Sequence, residues 1–312
     1  MSKVKAWISA ARLRTLPLSV SGIIVGSALG FKQLLIENSD NQIVADFYQT
    51  SIFWLAIATT LGLQILSNFA NDYGDGVKGT DNADRVGPQR ALQSGTISKN
   101  QMFIGIVITS LITLIFAIAL IYVSFGRENF LYSAFFFVLG VIAIVAAIKY
   151  TVGQSAYGYK GLGDVFVFVF FGLVSVVGCY FLFTKHLNGL IFLPGITIGL
   201  LSTAVLNLNN MRDHKNDENV GKNTLVVKLG IDKAKRYHLT IIIVAMLAMI
   251  IFLTVTYEKP IQALFLIAFI PLLIHFKTVY KNREAELLDP ELKKVALTTF
   301  LLSILFSIGQ IL

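Results

Sequence analysis

SIFWLAIATTLGLQILSNFANDYGDGVKGTDNADR, from Ser51 to Arg85, runs about twenty largely apolar residues straight into a cluster of carboxamides and carboxylates. A second stretch, NLNNMRDHKNDENVGK from Asn207 to Lys222, closes another apolar run in the same way. A run of that length is a membrane helix, so each cluster sits at a helix end, where unpaired negative charge is costly. A divalent cation is the natural compensation, and two acidic clusters sharing cations make a site for a diphosphate.

The rest of the composition agrees with a chain that lives in lipid. Hydrophobic residues make up 55% of the 312 residues and charged ones 14%, with a mean hydropathy of +0.71, too apolar for a soluble domain. Apolar runs predict nine spans: 16–31, 51–71, 102–124, 130–150, 165–183, 190–209, 239–257, 260–280 and 295–312. The expected architecture is an all-α integral membrane protein, nine helices in one bundle over 1–312, with polar residues concentrated in the stretches 68–101 and 207–236.

Charge distribution tests that division independently, because Lys and Arg accumulate in short cytoplasmic loops. With the N-terminus inside, only Lys32, Arg127, Lys185 and Lys259 of the 26 basic residues fall outside. The predicted topology is therefore N-terminus cytoplasmic, C-terminus outside, with the chemistry on the cytoplasmic face of a cell (inner) membrane. Topology and anionic lipid account for the net charge of +8, and no nucleic-acid partner is needed. Residues 1–14, with Trp7 among Lys and Arg, are expected along the inner headgroup surface. The single cysteine, Cys179, reads as a small core residue. Nothing in the sequence marks an oligomeric state.

Within the first cluster, Gln64, Asn68, Asn71, Asp72 and Asp75 recur at three- and four-residue steps, one face of a helix that continues past Asn71. Asn209, Asp213 and Asp217 share a face in the second. The two clusters also echo each other, at an offset of 138 or 141 residues, as duplicated helix units do. By the predicted topology both faces lie at helix C-terminal ends, where the macrodipole adds to the repulsion. Asp72, Asp75, Asp213 and Asp217 are thus the candidate ligands of a magnesium ion, which favours oxygen donors and shares them with phosphate. The four histidines and one cysteine show no zinc spacing.

Cations follow the acids: Lys78, Arg85 and Arg90 in the first loop, Arg212, Lys215 and Lys222 in the second. They suit a departing diphosphate. Between the fourth and fifth spans, KYTVGQSAYGYKGLGD (149–164) sets Tyr150, Tyr157, Tyr159 and Lys160 among glycines, a candidate phosphate or aromatic lip. Phe166, Phe168, Phe170 and Phe171 follow as an aromatic wall suited to a carbocation.

At these residues the chain resembles the intramembrane prenyltransferases that join polyprenyl diphosphates to aromatic acceptors. That family shows Asn-Asp-x-x-Asp-x-x-x-Asp after its second span and Asp-x-x-x-Asp after its sixth. Here Asn71, Asp72 and Asp75 match, Gly79 stands where the last Asp is usual, and Asp81 follows two residues on. The strings NDYGDGVKGTD, DRVGPQRALQSG, YGYKGLGD and NNMRDHKND with GKNTL are similar to the branch that prenylates 1,4-dihydroxy-2-naphthoate for menaquinone biosynthesis.

The resemblance implies a central cavity with a polar cytoplasmic cap and a lateral opening to lipid. It implies Mg2+ held on a polyprenyl diphosphate by Asp72, Asp75, Asp213 and Asp217, with Asn68, Asn71 or Asn209 assisting. Arg90, Lys160, Arg212 and Lys222 would bind the remaining phosphate oxygens, with Tyr150 at the same substrate site. The implied reaction is transfer of the polyprenyl group to 1,4-dihydroxy-2-naphthoate with loss of diphosphate and carbon dioxide, giving demethylmenaquinone. Two alternatives stay open at this point: another aromatic acceptor such as 4-hydroxybenzoate, and an ion-coupled transporter, which also carries intramembrane carboxylates on repeated units.

Overall fold

The computed structural model describes residues 2–37, 50–81 and 90–312. Asp84 and Arg85 lie outside the described residues. Helix is the only local structure that satisfies backbone hydrogen bonds inside a bilayer, and the long apolar runs adopt it. Among the described residues nine helices are long and apolar enough to cross a membrane, as the sequence predicts.

A short helix α1 (Lys3–Ala11) begins at Ser2, whose Oγ accepts from the Lys5 amide, and ends at Arg12 in the left-handed region. It is followed by α2 (Leu16–Glu37), α3 (Ser51–Lys78), α4 (Lys99–Phe125) and α5 (Phe130–Lys149). Next come α6 (Gly163–Thr184), α7 (Phe192–Asn219), a five-residue α8 (Leu225–Leu229) and α9 (Ile231–Thr256). The chain closes with α10 (Pro260–Lys281), which opens in 3₁₀ turns, and α11 (Asp289–Ile311). Helix α3 packs chiefly on α4, α7 on α9 and α6, and α2 on α11. Cys179 is buried, with its Sγ 3.1 Å from Ser27 Oγ, a core role as expected.

Three features of this framework position the site. First, α3 and α7 each have 28 residues, about 42 Å at 1.5 Å per residue, and so overrun a hydrocarbon core of about 30 Å. The acids from Asp72 and Asp213 onward lie about 31 Å or more along their helices, past the length of a hydrocarbon core. Both helices begin and end 141 residues apart, which selects that register and pairs Asn68 with Asn209 and Asp72 with Asp213.

Second, α3 stops at Gly79, whose φ of 74° is the left-handed helix-closing conformation and whose amide donates to the Asp75 carbonyl. The residue type that departs from the family pattern is the one this turn favours. Third, α6 widens into a π-helix over Phe168–Gly178, which rotates successive side chains away from the ordinary helical stripe. It approaches α7 closely: a Cβ on Gly172 would lie 2.6 Å from the Gly199 Cα. Helix α1 lies against α3, with Trp7 edge-on to Phe69 at 5.1 Å between ring centres.

Candidate active site

A cavity of about 500 Å³ opens between α2, α3, α4, α5, α6, α7 and α11. Ten of the twelve residues predicted from sequence line it: Asn68, Asn71, Asp75, Arg90, Tyr150, Asn209, Arg212, Asp213, Asp217 and Lys222. The helical spacing explains the convergence, since one face of α3 and one face of α7 look into the same space.

Lys222 joins the two clusters. Its Nζ lies 3.7 Å from Asp75 Oδ2 and 3.9 Å from Asp217 Oδ1, so one ammonium bridges the acids of α3 and α7. The residue is only 9% exposed, and burial works against its charge. The surrounding carboxylates, Asp75 first and then Asp217, Asp81 and Asp213, outweigh that and hold its pKa above the ordinary lysine value. Asp75 Oδ1 also accepts from the Tyr159 hydroxyl at 2.7 Å, and that hydroxyl lies 2.5 Å from Thr80 Oγ1. Burial and then Asp75 raise the pKa of Tyr159, so it stays a donor.

On α7, Arg212 grips its neighbour with a fork: Nε donates to Asp213 Oδ1 at 3.0 Å and Nη2 to Oδ2 at 2.7 Å. The same guanidinium reaches Asn209 Oδ1 at 2.9 Å and, through Nη1, Asp289 in the first turn of α11. On α3, Asp72 is 1% exposed and sits behind the lining, with Arg12 Nη2 at 2.6 Å and Arg90 Nη1 at 3.6 Å from its Oδ1. Asn68 Nδ2 donates to the Ala11 carbonyl at 2.9 Å, and Gln64 Nε2 to Thr15 Oγ1 at 3.3 Å, tying α3 to the α1–α2 junction. Tyr150 faces the cavity, and burial, then Asp164, Asp75 and Asp217, raise its pKa, so its hydroxyl is also kept protonated.

Lys160 stands apart from this assembly. Its side chain is exposed and outside the lining, and its carbonyl oxygen takes a hydrogen bond from Lys228 at 2.6 Å. Lys78 lies 3.8 Å over the Tyr159 ring. Asp81, two residues past Gly79, does line the cavity, 3.8 Å from Arg90 Nε. Of the aromatic wall, Phe166, Phe170 and Phe171 line the cavity, with Phe166 stacked on Tyr157 at 3.8 Å; Phe168 instead faces Gly199. Sequence reasoning missed Arg12, Tyr159 as a partner of Asp75, and Asp289. Only Asp289 left a readable signal, an acid before proline six residues ahead of the ninth predicted span.

Among the described residues no three His, Cys, Asp or Glu side chains converge on one point. The acids meet in pairs, Asp75 and Asp217 about Lys222, and Asp72 and Asp81 about Arg90. Asp72 Oδ2 and Asn216 Oδ1 are buried without a protein hydrogen-bond partner among the described residues. An oxygen-only donor set offered in pairs fits magnesium, which takes one or two carboxylates together with phosphate oxygens.

The sequence profile of the UbiA prenyltransferase family matches residues 39–303. The chain belongs to the UbiA prenyltransferase family. It is 40% identical to a 1,4-dihydroxy-2-naphthoate octaprenyltransferase of Haemophilus influenzae, over 99% of this chain and 97% of that protein. The Escherichia coli K12 protein of the same name is 38% identical over 99% and 96%. A Mycobacterium tuberculosis protein of that name is 33% identical over 78% and 77%. A solved structure of a digeranylgeranylglyceryl phosphate synthase superposes with a TM-score of 0.56 at 17% identity, covering 100% of this chain and 99% of that one, a likeness of fold. Membership makes this multi-pass membrane protein a prenyltransferase, and divalent-metal use is general in the family.

Proposed function

We propose that this UbiA-family enzyme transfers a polyprenyl group from polyprenyl diphosphate to 1,4-dihydroxy-2-naphthoate on the cytoplasmic face of the cell (inner) membrane. The observation that carries the reading is the bridge of Lys222 between Asp75 and Asp217 at the polar end of a cavity whose remainder is apolar. Its acceptor is chosen from the near full-length similarity to the Haemophilus and Escherichia enzymes. The carrier alternative loses its support, since the charged groups gather at one end of the cavity and the family is enzymatic.

In this mechanism Asp75, Asp213 and Asp217, which line the cavity, would hold the divalent cation, Mg2+ by the chemistry of its donors, with Asp72 behind them between Arg12 and Arg90, and the cation would supply charge neutralisation to the diphosphate oxygens. Lys222, Arg212 and Arg90 bind the other phosphate oxygens, so the carbon–oxygen bond breaks with its electron pair leaving on a stabilised diphosphate. Tyr150, which lines the same space, would donate its hydroxyl hydrogen to the bound substrate. Phe166, Phe170 and Phe171 line the cavity and would stabilise the allylic cation with their rings. The apolar cavity excludes water, which would otherwise capture that cation. The carboxylated ring carbon attacks, a carbon–carbon bond forms, and carbon dioxide departs leaving its bonding pair in the ring. The product is the quinol that becomes demethylmenaquinone on oxidation.

Acceptor labelled with ¹³C in its carboxyl group tests the step directly. One labelled carbon dioxide is expected per prenylated product. Product that retains the label would refute decarboxylative attack, and selective use of 4-hydroxybenzoate in competition would move the acceptor assignment.

A further inference from the structure

Most glycines in the spanning helices have a packing reason to lack a side chain. A Cβ on Gly22, Gly26, Gly62, Gly172 or Gly199 would come within 3 Å of a neighbouring helix or its side chains. Gly140 in α5 and Gly178 in α6 have none. A Cβ on Gly140 would meet only Ala117, at 3.9 Å, and one on Gly178 only Val174 at 3.9 Å and Phe136 at 4.0 Å. Each glycine costs its helix about 1 kcal/mol relative to alanine without allowing any closer helix approach. Both line the cavity, and so does Phe136.

Phe136 flanks the space beside both glycines, one helical turn from Gly140 and 4.0 Å from where a Gly178 Cβ would lie. Its ring packs 5.1 Å from Phe125 and stacks on Phe181 at 5.7 Å, part of a cluster that also takes in Tyr132. The volume left by the two glycines is therefore flanked by a braced aromatic side chain.

We propose that Gly140 and Gly178 frame the channel for the distal units of the prenyl donor, with Phe136 as the side wall that narrows it, and thereby set the tail length the enzyme accepts. This rests on the prenyl-transfer reading above. Gly140 lies ten residues along α5 from Tyr150, about 15 Å from the polar end at the helical rise. At roughly 1.1 Å per bond of an extended chain, the twelve main-chain carbons of a farnesyl group reach about 13 Å from the diphosphate oxygen. A farnesyl tail ends at the glycines, whereas an octaprenyl tail must pass between them.

The test is kcat/KM for farnesyl and octaprenyl diphosphate, measured with saturating 1,4-dihydroxy-2-naphthoate on the full-length protein in detergent–lipid micelles. Gly140→Leu and Gly178→Leu are each expected to lower the octaprenyl-to-farnesyl ratio at least tenfold, in line with the 10- to 200-fold discrimination that small apolar groups give in a pocket. Phe136→Ala, which removes bulk and so does not share their folding risk, is expected to raise the ratio. Unchanged ratios across all three variants, in a wild-type enzyme that uses both donors, would overturn the inference alone. No product from the wild type with either donor would overturn the prenyl-transfer reading, and this inference with it.

Discussion

Lys222 holds the balance of charge between the two acidic helices, and its removal should show at once in both chemistry and stability. Lys222→Met leaves Asp75 and Asp217 facing each other and the diphosphate without its bridging cation. Turnover is expected to fall by about 10²- to 10³-fold, the range for losing one preorganised charge-stabilising group. The pH dependence follows from the raised pKa. A lysine raised above 10.5 contributes fully below its unfolded value and loses that contribution only as pH climbs through the folded one. The thermal-stability difference between wild type and Lys222→Gln should thus stay flat from pH 7 to pH 10; a difference that already shrinks near neutrality would contradict it.

Arg12 invites a parallel experiment. Breaking a buried ion pair on one side costs roughly 3–5 kcal/mol, and Arg90 beside Asp72 should keep Arg12→Ala near the lower end. Differential scanning fluorimetry in detergent would register this as a lowered unfolding midpoint, with Arg12→Lys intermediate. Gly79 is different again. Asp at this left-handed position costs about 1–2 kcal/mol, while Asp81 already supplies a carboxylate to the cavity. Gly79→Asp should lower the midpoint without raising turnover, and Asp81→Asn should lower turnover; kinetics on the two variants checks both.

At the scale of elements, the nine spans were legible because an apolar run of bilayer length has one stable conformation in lipid. The overrun of α3 and α7 was legible too, from polar residues at helical spacing beyond the apolar run. The π segment of α6 was not, since Phe168–Gly178 has the same apolar composition as an ordinary helix and its hydrogen-bond shift leaves no mark in residue type. Nor was the Arg12–Asp72 pair, which joins residues sixty positions apart, or the outward course of Lys160, which no local pattern encodes. The contact of α6 with α7 makes its own prediction. Gly172→Val forces side-chain atoms against the Gly195 carbonyl and Gly199 Cα, an overpacking cost of about 1–3 kcal/mol. A lower yield of monodisperse protein in size-exclusion chromatography is the expected result.

Across the whole molecule, two overlong helices bring their acids to one end of a largely apolar cavity, and Lys222 from the loop after α7 bridges them. Such a cavity separates a charged leaving group from an apolar tail, the task a membrane prenyltransferase performs. The most direct test is mass spectrometry of lipid extracted after incubating the purified protein with octaprenyl diphosphate and 1,4-dihydroxy-2-naphthoate, with magnesium or with EDTA. The account predicts octaprenylated demethylmenaquinone with magnesium and none with EDTA. Equal product in both, or none in either, would contradict it.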